Sequence, residues 1–222
     1  MSTPSSPPTT PRIAGLHATR PQPLSFAPKL SIRAFLLERE AGNLLIYNTG
    51  LLEQDGPLLA EHCLQRQYLS HWHEAMFGSD APAREHGADV LVNAADASEV
   101  AQRGWTISEQ ISGRQVVDGD FEVIPIPGHT PGATAFRWSS GGRRVLFTGD
   151  TIYVEDGEWV AGVLQSMQAD ARRRMAESLR LLADLEFDVL VPWAVSGDGP
   201  YAFAVAPGEA RRHIDGLLEG MR

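Results

Sequence analysis

The chain has 222 residues, 43% hydrophobic and 21% charged, enough to bury one large core or two small ones without covalent cross-links. Its formal net charge of -9 argues against a nucleic-acid footprint and favours solubility. The single cysteine, Cys63, leaves no internal disulfide and fits a reducing compartment. No apolar run opens the chain, so neither a signal peptide nor a membrane span is expected and the expected location is the cytoplasm.

Residues 1–23 are rich in Pro, Ser and Thr, which predicts a disordered or extended tail in which His17 has no role. A single domain is expected over 24–222. Its first elements are strands over 30–37 and 43–47, joined by the charged turn 38–42, with Asn48-Thr49-Gly50 closing the second strand. Pro57 starts a short helix over 57–66 that carries His62 and Cys63, a poor metal pair by their adjacency, with Cys63 expected to pack in the core. Residues 67–74 form a short strand breaking into a loop. His71 and His73 then lie at i and i+2, where alternate side chains on a strand end point the same way and can meet at one ion.

Further on, 80–86 and 96–103 are expected to be helical, the latter with Asp96 as its N-cap acceptor, and 89–93 to be a strand. Strands over 121–126, 133–138 and 145–148 surround two glycine loops, one bearing His129 and the other Asp150. Residues 152–163 read as irregular, with Tyr153 and Trp159 overhanging a pocket. Residues 169–185 give the strongest helical pattern, with Met175, Leu179, Leu182 and Leu185 on one stripe and arginines largely off it. A buried strand over 187–192 and a terminal helix over 209–221 complete the chain.

His71, His73, His129 and Asp150 therefore emerge at three strand ends, on tight loops. Any one histidine alone is more often a packed residue than a ligand; four such groups in these settings point to a metal. Neutral imidazole and carboxylate suit zinc, iron or manganese, and three such ligands leave a position for water, whose pKa a divalent ion lowers to about 7.

The stretches Pro127-Gly128-His129-Thr130-Pro131-Gly132 and Phe147-Thr148-Gly149-Asp150-Thr151 resemble the metallo-β-lactamase superfamily of metallo-hydrolases, which includes glyoxalase II-like enzymes. The resemblance covers roughly residues 30–192 and implies an α/β (α+β) fold, a four-layer αββα sandwich with the site at one edge. The family's His-x-His-x-Asp-His motif is matched by His71-Trp72-His73-Glu74-Ala75-Met76. By that resemblance His71, His73 and His129 form the first metal site and Asp150 bridges to a second. The second site needs ligands where this chain has Ala75, Met76 and a residue near Ala194, all apolar, and Asn48-Thr49-Gly50 stands for the family's Asp-Thr-Gly.

One divalent ion at most is the consequence, zinc in first place with iron or manganese as alternatives. Asp150 would bind that ion or orient the water, and Glu74, whose plainer reading is an exposed loop residue, would swing into the vacant ligand position, making these two the catalytic candidates. Trp72, Tyr153, Trp159 and Trp193 are the substrate-binding candidates and imply a partly apolar small molecule, with Trp193 filling the emptied second site. The expected activity is mononuclear hydrolysis of a small-molecule ester, thioester or lactone by a metal-bound water. The alternatives are a non-catalytic metal- or ligand-binding relative and a mononuclear iron oxidoreductase resembling persulfide dioxygenases. No nucleic-acid or membrane partner is expected, and a homodimer is compatible with the sequence.

Overall fold

Period-two alternation along the strands decides the architecture. In the computed structural model, which describes residues 10–164 and 169–221, Phe121, Val123, Phe136, Trp138, Val145, Phe147, Val189 and Val191 face one core. The residues between them, Ile124, Ala135, Leu146 and Leu190, face another. A strand with both faces apolar must be covered on both sides, so this sheet lies inside the molecule. It runs in the order Phe203–Ala204, Val189–Val191, Arg143–Phe147, Thr134–Ser140, Phe121–Pro125, Gln115–Val117.

Its inner neighbour is a second six-stranded sheet ordered Leu16–Ala18, Phe35–Leu37, Asn43–Ile46, Leu64–Tyr68, Asp89–Asn93, Glu109–Ile111. Aromatic side chains knit the two: Tyr68 lies 5.1 Å from Phe121 and 5.5 Å from Phe136, and Phe35 lies 6.0 Å from Phe147 between ring centroids. Helices Ala81–Glu85 and Ala94–Gln102 pack on the second sheet. Helix Ala169–Ala183 covers the outer face of the first, burying Met175, Leu179 and Leu182, at about 1.5–3 kcal/mol for each such side chain. The terminal helix Glu209–Gly220 packs beside it. The result is helices, sheet, sheet, helices.

A small third sheet positions the site. It orders Glu158–Ala161, Ile152–Glu155, Ala194–Ser196, Ala27–Ile32 and Gln22–Leu24. Through it the segment after Asp150, the segment after Trp193 and the N-terminal hairpin all meet at one edge of the sandwich.

Several expectations are corrected here. Residues 30–37 are two strands in different sheets, because the chain crosses over at buried Arg33 and Ala34. Residues 152–163 are no irregular loop but the hairpin Ile152–Glu155 and Glu158–Ala161, turned by Asp156 and Gly157 at φ of 51° and 86°. The helix expected over 57–66 ends at Glu61, since Cys63 adopts φ of 47° and Leu64 starts a strand. The expected tail is ordered in its second half: Leu16–Ala18 pairs with Phe35–Leu37 and Gln22–Leu24 pairs with Ala27–Ile32. Residues 1–9 of that tail lie outside the described residues.

Candidate metal centre

Each ligand candidate sits where a strand runs out. His71 follows strand Leu64–Tyr68 and has extended backbone (φ -165°, ψ 164°). His73 lies in the 3-10 turn Trp72–Met76 that His71 caps. The two therefore do not converge by strand alternation, as the sequence suggested, but because a turn starts between them. His129 follows Phe121–Pro125 and Asp150 follows Arg143–Phe147. One ligand atom from each of His71, His73, His129 and Asp150 lies within 4.8 Å of all the others.

Neighbouring groups decide which nitrogen of each ring faces inward. His129 Nδ1 donates to the carbonyl oxygen of Gly162 at 2.7 Å, so its Nε2 carries the lone pair. That Nε2 stands 3.0 Å from His73 Nδ1 and 3.6 Å from Asp150 Oδ2. His71 Nδ1 lies 2.9 Å from Ser70 Oγ and 3.3 Å from Glu74 Oε1, which turns its Nε2 toward Asp150 Oδ2 at 3.4 Å. His71 Nε2 is buried and has no hydrogen-bond partner among the described residues. An orphaned buried nitrogen aimed at two other imidazole nitrogens and a carboxylate is what a cation would satisfy, so the donor set fits a divalent metal.

The electrostatics agree with that geometry. Burial depresses His73, with His71 and His129 pushing the same way, to a pKa of about 3, so it is a neutral donor at physiological pH. Burial also lowers His129. For His71 burial acts downward too, but Asp150 and Glu74 on either side outweigh it and raise the pKa to about 10. Asp150 is held below the usual carboxylate range: burial opposes this, and the His71 imidazole facing it at 3.4 Å prevails.

Two buried carboxylates support the ligands from behind. Glu74 is fully buried and accepts from Ser70 N at 2.7 Å and Ser70 Oγ at 2.6 Å, on the side of His71 away from the cleft. It is therefore no general base swinging into a vacant position; it holds His71, as carboxylates behind metal-binding histidines do. Asp96, expected as an N-cap, lies inside helix Ala94–Gln102, whose cap is Asn93. Its carboxylate accepts from Trp72 N at 3.1 Å, Thr130 Oγ1 at 2.6 Å and Gly132 N at 2.8 Å, tying the loop of His71 and His73 to the loop of His129. A Cβ at position 132 would stand 2.6 Å from Asp96 Cγ, which is why glycine is needed there. Nothing in the sequence marked this clamp, because its partners lie 24 to 36 residues away.

A cleft of about 460 Å³ opens over His73, His129 and Asp150. Trp72, Tyr153 and Trp193 line it, as do Met76 and Ala194. Trp193 is buried, its ring 5.2 Å from that of His71 and its Nε1 donating to Asn48 O at 2.9 Å. Trp159 does not reach the cleft: it stacks on His213 at 4.8 Å, because its hairpin strand turns that face toward the terminal helix. His17 is not idle in a tail. It lies 4.5 Å from the His62 ring and 3.3 Å from Glu38, a second, surface grouping of possible ligands that shares no residue with the first.

The chain is similar in sequence and fold to known proteins. The model of the metallo-beta-lactamase superfamily matches residues 71–194, from His71 to the residue after Trp193. Hydroxyacylglutathione hydrolase of Anaeromyxobacter dehalogenans (strain 2CP-C) is 34% identical over 102 residues; the match takes in 43% of this chain but only 36% of that relative's length. Among solved structures, metallo-beta-lactamase SMB-1 bound to 2-mercaptoethanesulfonate superposes with a TM-score of 0.66 at 17% identity, over 98% of this chain and 97% of that one. The metallo-beta-lactamase family protein TTHA1429 from Thermus thermophilus gives 0.65 at 17% identity, over 94% and 79%. At such identities the likeness is one of fold. With the family model spanning more than half of it, the chain belongs to the metallo-β-lactamase superfamily, a family of metal-dependent hydrolases.

Proposed function

We propose that this chain hydrolyses an ester, thioester or lactone of a small molecule at a mononuclear metal site. The supporting observation is the orphaned Nε2 of His71, buried and converging with His73 Nδ1, His129 Nε2 and Asp150 beneath an open cleft. The imidazoles of His71, His73 and His129 would hold the ion, with a fourth position left to water and Asp150 beside it, and that donor set suits zinc first, then iron or manganese. A divalent cation held there would polarise a carbonyl and lower the pKa of a bound water to about 7.

The chain's own residues then have separable tasks. Asp150, ionised and partly exposed to the cleft, accepts a hydrogen bond from water and orients it toward a substrate carbonyl. His73 and His129 stay neutral and supply lone pairs, while Glu74 fixes the ring of His71. Trp72, Tyr153 and Trp193 wall the cleft and exclude bulk water from the acyl group. A second ion lacks donors at the family's positions: Ala75 is buried, Met76 offers only a thioether and Ala194 a methyl group. The lone, exposed Cys63 supports a reducing, cytoplasmic setting.

The test is elemental analysis of protein made without a polyhistidine tag, with hydrolysis of thioester and lactone probes before and after chelation. One equivalent of zinc, activity lost on chelation and regained on reloading, is the expected result. Two equivalents per chain, or a loaded protein inert toward every probe, would refute it.

A further inference from the structure

The cleft carries information about the substrate beyond the bond that is broken. Among the described residues, its only ionisable lining groups apart from His73 and His129 are Asp150 and Tyr153, with no lysine or arginine. Beyond the reach of the metal itself, an anionic group on a substrate would find no lysine or arginine in this lining to pair with. The walls instead present Leu24, Leu30, Phe77, Val163 and two tryptophans. A volume of about 460 Å³ falls in the range of small-molecule sites, roughly 300–1,000 Å³.

The mouth points the same way. Among the described residues, four large hydrophobic side chains are strongly exposed: Phe26 at 74%, Val116 at 64%, Met76 at 60% and Leu164 at 39%. Three of these four, Phe26, Met76 and Leu164, sit on this one cleft. Scattered single exposed apolar residues need no account, but three converging from separate loops on one concave opening mark a binding rim. Phe26 lies in the turn of the hairpin Gln22–Leu24 and Ala27–Ile32, so the ordered N-terminal segment forms one lip. Met76 ends the turn that carries His73, and Leu164 follows closely on Gly162, whose carbonyl holds His129. The rim is thus continuous with the histidine cluster.

We infer that the cleft binds an uncharged apolar acyl chain, with the ester, thioester or lactone carbonyl at the histidines and the chain running outward between Phe26, Met76 and Leu164. This rests on the hydrolase reading and narrows it: the chain selects medium-length acyl groups and disfavours carboxylate-bearing thiols such as glutathione.

Two measurements test it. The zinc-loaded protein is assayed with p-nitrophenyl acetate, butyrate and octanoate and with S-lactoylglutathione. Separately, the chelated protein is titrated with the neutral fluorophore N-phenyl-1-naphthylamine. The expected result is kcat/KM rising about two- to fourfold per added methylene, octanoate far ahead of S-lactoylglutathione. In Phe26→Ser and Leu164→Ser, both at exposed positions, that chain-length slope flattens and fluorophore binding weakens at least tenfold. A flat or falling series alongside metal-dependent hydrolysis overturns the inference and spares the hydrolase reading. No hydrolysis of any ester, with rim-dependent fluorophore binding intact, refutes the hydrolase reading and sustains the apolar subsite. Fluorophore binding indifferent to both substitutions overturns the subsite. So does phosphatidylcholine-vesicle binding that depends on Phe26 and Leu164, since the rim would then be a membrane contact.

Discussion

Replacing Asp96 with alanine should damage both the fold and the metal centre, and the structure allows the size to be worked out. The carboxylate accepts three hydrogen bonds, from Trp72 N, Thr130 Oγ1 and Gly132 N. Bonds to a charged acceptor contribute about 1.5–3 kcal/mol each, and a buried donor left without a partner costs a similar amount. The simple sum overstates the loss, because the Thr130 hydroxyl can rotate to another acceptor and Trp72 is only half-buried, so water can reach its N–H. We expect about 3–5 kcal/mol, a large share of the roughly 5–15 kcal/mol that holds a typical domain folded. Asp96→Asn keeps the volume and one acceptor oxygen and should cost about half as much. Urea unfolding of chelated protein measures the loss of stability. A zinc competition assay measures the other effect, where a fall of about 10- to 100-fold is expected for a group that holds the ligand loops. If Asp96→Ala loses less than about 1 kcal/mol, the hydrogen-bond account is wrong. If it loses the stability but binds zinc as tightly as before, the clamp serves the fold and not the centre.

Glu74→Gln should lower zinc affinity about 10- to 100-fold with little change in side-chain volume, because an amide no longer draws the His71 Nδ1 proton as a carboxylate does; unchanged affinity in the competition assay would remove its positioning role. Zinc binding should release close to one proton at neutral pH, seen as a calorimetric enthalpy that varies with the buffer's ionisation enthalpy, because His71 with its pKa of about 10 is protonated in the free protein and must yield Nε2. Because that pKa is raised above the unfolded value of 6.5, the contribution of His71 to metal-free stability is complete below pH 6.5 and is lost as pH rises toward 10, so chelated protein should melt lower at pH 9.5 than at pH 6.5. The double substitution Ala75→Asp with Met76→His should leave zinc at one equivalent per chain by elemental analysis, since Trp193 remains beside His71; two equivalents would show that the ring does not fill that space.

Much of the sandwich is legible in the sequence because strand periodicity is local: the apolar runs at 43–47, 89–93, 121–126 and 145–148 all lie on observed strands. Expectation and structure part where the deciding interaction is distant, or where a turn pair outweighs a weak strand pattern. Asp156-Gly157 between Ile-Tyr-Val-Glu and Glu-Trp-Val-Ala is such a pair, a strong local hairpin signal in a segment that otherwise reads as irregular. The ordering of Leu16–Ala18 has no such signal, since it depends on pairing with Phe35–Leu37, a strand whose own start is set by the crossing at Arg33. Glu74 and Asp96 show the same division within the site. Ligand histidines announce themselves by their loops, whereas the carboxylates that hold them are defined only by what the fold brings within hydrogen-bonding reach, about 3 Å.

The residues that depart from the family pattern and the residues that build the apolar cleft are partly the same. Met76 and Ala194 stand at the positions where the family motif would place donors for a second ion, and both line the cleft together with Trp193, whose ring lies 5.2 Å from that of His71. Emptying a cation site alone would leave Asp150 facing a polar hollow, with charge unsatisfied and water free to enter. The indole of Trp193, its Nε1 satisfied by Asn48 O, and the thioether of Met76 instead give this wall apolar faces that continue outward to Phe26 and Leu164. Asn48 in turn donates to the Glu74 carbonyl at 3.1 Å and to the Phe77 carbonyl, two acceptors that an aspartate at this position could not serve. Met76 and Ala194 therefore belong at once to the positions that depart from the family motif and to the apolar wall, and a variant that places donors at 76 or 194 must also give up part of that wall.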